Sequence, residues 1–175
     1  MKIFLYYILF IISLITTSCG NNEIKEPLEY NGPVSEVENV ELYYSEKDMI
    51  KVKMTAALLY EFKNGDREFP QGVYIEFFDE TGKLESTLKA NHAYFFKEEN
   101  QWRGRDNVEV KNLEKREQLN TEELFWKPAE KRIFTDKFVT IRQQKDVLYG
   151  EGLEANEDLS DYTITNISGE MEVEE

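Results

Sequence analysis

Cysteine and histidine are almost missing from this chain: among 175 residues there is one of each, Cys19 and His92. A lone cysteine cannot close an internal disulfide, and a lone histidine leaves no cluster for a zinc site. Positive charge is also scarce, with 21 Lys+Arg against 35 Asp+Glu and a net charge of −14. That balance excludes a sequence-independent grip on nucleic acid phosphates. The length is too short for a full α/β barrel and suits one globular domain. An aromatic content of 13% is too high for a disordered chain.

The one long apolar run is residues 3–15, behind Met1 and Lys2. It falls short of the roughly 20 residues that span a bilayer, so a basic start and a short greasy run read as a secretory signal. Thr16, Thr17 and Ser18 then lead into Cys19, an arrangement that resembles the lipobox of bacterial lipoproteins. The resemblance implies removal of residues 1–18, diacylation of Cys19 and anchoring to a membrane by lipid. Residues 19–36 are polar, with Pro27, Gly32 and Pro33, and are expected to form a flexible tether. The domain is expected at 37–170, followed by an acidic tail at 171–175.

Within the domain the pattern is that of strands. Ile50, Val52 and Met54 alternate with Lys51, Lys53 and Thr55, as on a strand with one dry face. The same alternation recurs around Val73, Ile75 and Phe77, around Leu88, around Val108 and Val110, and around Val139 and Ile141. Polar turns separate these runs, and Asn64-Gly65 is a pair favoured in two-residue hairpins. About nine strands and no long helix are expected, an all-β antiparallel fold. Residues 113–126 favour helix by propensity alone. An internal repeat argues otherwise: Leu88, Tyr94, Val108 and Val110 recur 31 residues later as Leu119, Phe125, Val139 and Ile141. Leu119 and Leu124 recur 29 residues later as Leu148 and Leu153, so the ambiguous stretch should share the β conformation of its counterparts.

Motifs that would carry chemistry are weak. Gly150 to Ala155 spells a dinucleotide-type G-x-G-x-x-A, but Asn156, Glu157 and Asp158 stand where a helix must follow. The two glycines fit a bulge or a close strand crossing better. The acidic residues between Asp158 and Glu170 lack the glycine of a calcium loop. No carboxylate pair stands out for glycosidase chemistry, His92 has no metal-site companion, and no cofactor is implied.

What remains is apolar surface at strand positions. The candidate ligand-binding residues are Val73, Ile75, Phe77, Leu88, Val108, Val110, Leu119, Trp126, Val139, Ile141, Leu148 and Leu153. Either two sheets pack face to face on these residues, or an open sheet curls around an apolar ligand. Periodicity does not separate the two.

Several strings in consistent order carry a family resemblance. They include Tyr44-Ser45-Glu46, Phe69-Pro70-Gln71-Gly72-Val73, Leu88-Lys89-Ala90-Asn91-His92-Ala93-Tyr94, Thr135-Asp136-Lys137-Phe138-Val139 and Gly150-Glu151-Gly152-Leu153. From about Val40 to Gly169 the chain resembles the LptC family, the periplasmic component of lipopolysaccharide export, with its OstA-like repeats. The resemblance implies a twisted antiparallel β-jellyroll, open along one side, with no catalysis. Its implied partners are lipopolysaccharide, an inner-membrane ABC transporter and a periplasmic bridge of similar jellyrolls. Better-known members keep a transmembrane helix where this sequence has a lipobox. Lipopolysaccharide is anionic and so is this chain, so binding is expected to rest on acyl burial at about 25 cal/mol per Å². On that basis Val139→Glu or Leu88→Glu should impair transport more than Lys137→Ala.

Overall fold

The computed structural model describes residues 30–144 and 146–170. The expected signal, the lipidated cysteine and the acidic tail lie outside the described residues. Twelve strands follow one another: β1 (Ser35–Glu46), β2 (Met49–Glu61), β3 (Arg67–Phe69), β4 (Val73–Phe78), β5 (Leu84–Ala90) and β6 (His92–Phe96). They continue as β7 (Gln101–Asn112), β8 (Glu117–Lys127), β9 (Arg132–Gln143), β10 (Asp146–Asn156), β11 (Tyr162–Ile164) and β12 (Ser168–Glu170). All belong to one antiparallel sheet.

Three long strands divide one edge between two partners. β2 pairs with β4 through residues 52–55 and with β3 through 60–61. β7 pairs with β6 through 101–105 and with β5 through 109–112. β10 pairs with β12 through 147–149 and with β11 through 153–155. Since β3 pairs with β6 and β4 with β5, each long strand gives one half to a β3–β6 layer and the other to a β4–β5 layer. The division falls on one line across the sheet, where the register shifts at Asp106-Asn107, at the 122–124 segment and at Gly152, and where Asn39 of β1 is left out of an otherwise continuous pairing. Asn39, Asp106 and Asn107 hold φ between 54° and 61° there, a region asparagine and aspartate enter more readily than other side chains. Such bulges bend a strand without ending it.

Bending brings the layers face to face. Phe77 of β4 meets Trp126 of β8 edge-on, with ring centroids 5.4 Å apart, although the two sit on opposite halves of the sheet. The result is a twisted jellyroll that is not a closed barrel, with β1 at one side and β11 and β12 at the other.

The all-β expectation holds, and residues 117–127 are strand β8. The repeat has a structural meaning: Leu88 on β5 and Tyr94 on β6 correspond to Leu119 and Phe125 on the single strand β8. β5 and β6 are therefore one bent strand interrupted at Asn91. The strand number is twelve rather than about nine, in part because β3 and β12 have three residues each, too few for alternation to register. Asn64-Gly65 does not make a two-residue hairpin. The connection is 62–66, where Phe62 N–H donates to Asp66 O (2.9 Å) and the Asn64 side chain accepts from Asp66 N–H (3.0 Å). The Gly150 expectation is met, since the register shifts between Glu151 and Leu153 and a Cβ at Gly150 would run into Ile164 of β11.

Candidate functional site between the layers

On the inner face of the β4–β5 layer, residues in mutual register form an unbroken apolar row: Leu42, Met54, Ile75, Leu88, Val110, Leu119, Ile141 and Leu148. The row crosses eight strands because alternation is in phase on all of them. Leu42 is exposed at one end, Leu148 is half-buried at the other, and the six between are buried. Facing it across the interior runs an aromatic file, Phe69 and Phe95 on Trp102 (5.5 and 5.0 Å) and Trp102 on Trp126 (6.1 Å), which meets Phe77 of the β4–β5 layer.

The twelve residues nominated from the sequence fall into this one cluster. Val73, Ile75, Phe77, Leu88, Val108, Val110, Leu119, Trp126, Val139, Ile141 and Leu153 are buried, and Leu148 packs against them half-buried. The interior is filled: the void between the layers, lined by Ile75, Leu88, Trp102, Val108, Leu124 and Trp126 among others, measures about 10 Å³. That is room for about one water molecule, so any larger guest requires the layers to part.

Beyond Leu88, Val110, Leu119 and Ile141, two residues nearer the mouth on each strand, the inner face turns polar. Ser86, Asn112, Glu117 and Gln143 lie in successive register across β5, β7, β8 and β9. Sequence reasoning missed this row and the aromatics Phe69, Phe95 and Trp102. The signal was present as a polar residue two places from each repeated aliphatic. The interior is thus amphipathic in cross-section, apolar toward the bend and polar at the mouth.

The family model described as lipopolysaccharide-assembly, LptC-related, matches residues 3–168. The chain belongs to that family. No curated protein matches it. As an LptC-related protein it serves lipopolysaccharide transport in the cell envelope, as a non-enzymatic component of the Lpt system. Among the described residues no helix is long and apolar enough to cross a membrane, and no cluster could hold a metal.

His92 of this LptC-related protein sits on the outer face, half-buried, with Nε2 2.9 Å from Glu68 Oε1 and its ring stacked on Tyr94 at 4.6 Å. On β1, Val37, Leu42, Tyr43 and Tyr44 are exposed. Because β1 pairs only with β2 among the described residues, its other backbone edge is open.

At the mouth the Trp126 indole N–H donates to Glu157 Oε2 at 2.8 Å. Burial raises the Glu157 pKa above its ordinary value, the Trp126 bond and Lys131 oppose the rise, and Asp158 and Glu85 add to it. A carboxyl with a raised folded pKa contributes stability that is fully present below its unfolded pKa and is lost as pH rises through the folded one. Glu157→Gln keeps a carbonyl oxygen for the indole and removes that loss. The variant should melt above the wild type by a margin that widens as pH rises from the ordinary carboxylate range through the raised folded pKa of Glu157, and is constant above it. Thermal melts across that range check it; a constant margin would assign the difference to something other than Glu157 ionisation.

Proposed function

We propose that this LptC-related protein is a lipid-anchored periplasmic carrier. It accepts lipopolysaccharide from an inner-membrane ABC transporter and relays it along a bridge of similar jellyrolls toward the outer membrane. The observation that supports it best is the amphipathic interior, an apolar row of eight strands bordered by a polar row at the mouth. Acyl chains fit the first environment and hydroxylated sugars the second, and acyl burial needs no positive charge. Diacylation at Cys19, with the residues between it and the start of β1 at Ser35 as tether, holds the domain at the membrane, the inner one by family analogy. The open edge of β1, flanked by exposed Leu42, Tyr43 and Tyr44, suits strand addition by a neighbouring jellyroll.

A second reading draws on the filled interior: an assembly lipoprotein with a closed core that binds a protein partner through a sheet edge. The void of about 10 Å³ favours it. One experiment separates the two. Cells are fed an alkyne-tagged fatty acid and carry a photoreactive phenylalanine at Phe77 or at half-buried Leu148, positions that tolerate it better than Val139. Lipopolysaccharide adducts that require ATP hydrolysis are expected, on a protein that carries the tag at Cys19. Protein adducts alone from folded, tagged protein would establish the assembly reading, and absence of the tag from Cys19 would remove the lipid anchor.

A further inference from the structure

The turn at 157–161 leaves β10 and enters β11, both in the β3–β6 layer, yet it is bonded across the mouth to the other layer. Asn112 Nδ2 donates to Asp158 O at 2.7 Å, and Lys115 Nζ donates to Ser160 O at 2.9 Å. Just beyond the turn, the Gln143 amide donates to the Tyr162 hydroxyl. On its own side the turn is tied by Trp126 to Glu157 and by Glu157 N–H to Lys131 O at 3.0 Å. Leu159, at its centre, is fully buried in the core cluster. Its φ of 57° is disfavoured for a bulky side chain and is held by the surrounding bonds.

The polar row beneath the turn is not saturated. Ser86 Oγ and Glu117 Oε2 are buried without a hydrogen-bond partner, an arrangement proteins avoid unless the group serves something else. The four side chains offer two amides, a hydroxyl and a carboxylate, both donors and acceptors, and no cation. That set disfavours phosphate and matches sugar hydroxyls. Within the row Gln143 Nε2 donates to Glu117 Oε1, and Asn112 Oδ1 accepts from the Lys115 N–H; the groups of the turn and β11 that the row engages, the Asp158 carbonyl and the Tyr162 hydroxyl, are of the kind a sugar would present.

We propose that Ser86, Asn112, Glu117 and Gln143 form a hydroxyl-binding rim for the head of a glycolipid, which the 157–161 turn occupies as a latch until such a ligand displaces it. This rests on the reading of the interlayer row as an acyl site. The latch explains how a filled interior serves a carrier: release of Leu159 frees both the mouth and the rim.

The test uses the full chain in phospholipid nanodiscs with two probes, a pyrene-labelled N-acyl glucosamine and the same pyrene-labelled fatty acid. Energy transfer to pyrene from Trp102 and Trp126, the only two tryptophans, reads entry between the layers. Hydrogen exchange at the Glu157 and Leu159 amides reads the latch without any ligand. Ser86→Ala deletes a hydroxyl that bonds nothing in the empty protein. It should weaken acyl glucosamine binding about five-fold, the worth of one net hydrogen bond, and leave the fatty acid unchanged. Leu159→Gly should raise exchange at the two amides and speed association of both probes; if it fails to fold, Lys115→Ala loosens the same turn from its surface. Equal effects of Ser86→Ala on both probes, or none on either, would overturn the rim. Faster exchange with unchanged association would overturn the latch. No energy transfer from either probe, in variants whose latch amides do exchange faster, would show that the acyl reading itself has failed.

Discussion

Val139→Glu should leave little folded domain at neutral pH, while Phe138→Glu, one residue away, should fold with a loss below about 1 kcal/mol. Val139 has no exposed surface and stands on the inner face of β9. Phe138 points outward, 56% exposed, with only Tyr149 stacked beside it at 6.1 Å. An ionised carboxylate in place of Val139 finds no cation among the aliphatic residues of the cluster. Burial must then raise its pKa or expel it, at a cost of several kcal/mol against a total stability of about 5–15. Near-ultraviolet circular dichroism against pH checks this, because tertiary signal should recover as pH falls through the raised pKa. Folded Val139→Glu at neutral pH would mean that water already reaches the interior. The same burial means that Val139→Glu and Leu88→Glu both fall on core positions, so folded protein has to be shown before a transport defect in either is read as lost ligand contact.

The second large effect lies on the bend. Gly72 joins β3 to β4 at φ 84°, and a Cβ there would strike the Ala90 carbonyl oxygen and come within 3.0 Å of two Asn91 backbone atoms. Backbone cannot step aside as a flexible side chain does. Gly82, in the β4–β5 turn, has nearly the same φ of 83° with nothing within 4 Å of its virtual Cβ. Gly82→Ala therefore measures the conformational penalty alone, about 1–2 kcal/mol. Gly72→Ala adds the collision, and its melting temperature should fall by about 10 °C or more, against roughly 3–6 °C for Gly82→Ala. Equal shifts would mean that the close approach of β4 to Asn91 does not hold the bend.

The alternation around Val73, Val108 and Val139 made the strands legible because each has one dry face; that of Ile50, Val52 and Met54 marked a strand too, although its dry face begins only toward Met54 and Ile50 is exposed. The repeat from Leu88 to Leu119 also settled a stretch whose propensity pointed to helix, since packing in a shared row outweighs propensity. The bend was harder to see. Its marks are polar pairs such as Asp106-Asn107, which look like any other loop residues until register shows the strand running through them. The nominated site residues were found as a set, yet an aliphatic row that packs against a facing layer and one that holds an acyl chain have the same spacing. Ser86, Asn112 and Gln143 escaped because single polar residues at strand ends read as solvent-facing. Leu159 escaped because a lone leucine among Asp158, Ser160 and Asp161 carries no period.

The line of bulges has a mechanical consequence. β1, β2, β7, β8, β9 and β10 pass through it unbroken, so each is a single covalent ribbon with residues in both layers. On β7, β8 and β10 the line falls at residues outside the regular ladder, so the proposed parting of the layers flexes these ribbons where no pair has to shear. In the proposed carrier, compliance for parting the layers is therefore concentrated at a crease, and the covalent ribbons that cross it act together to restore the closed form once the load is gone.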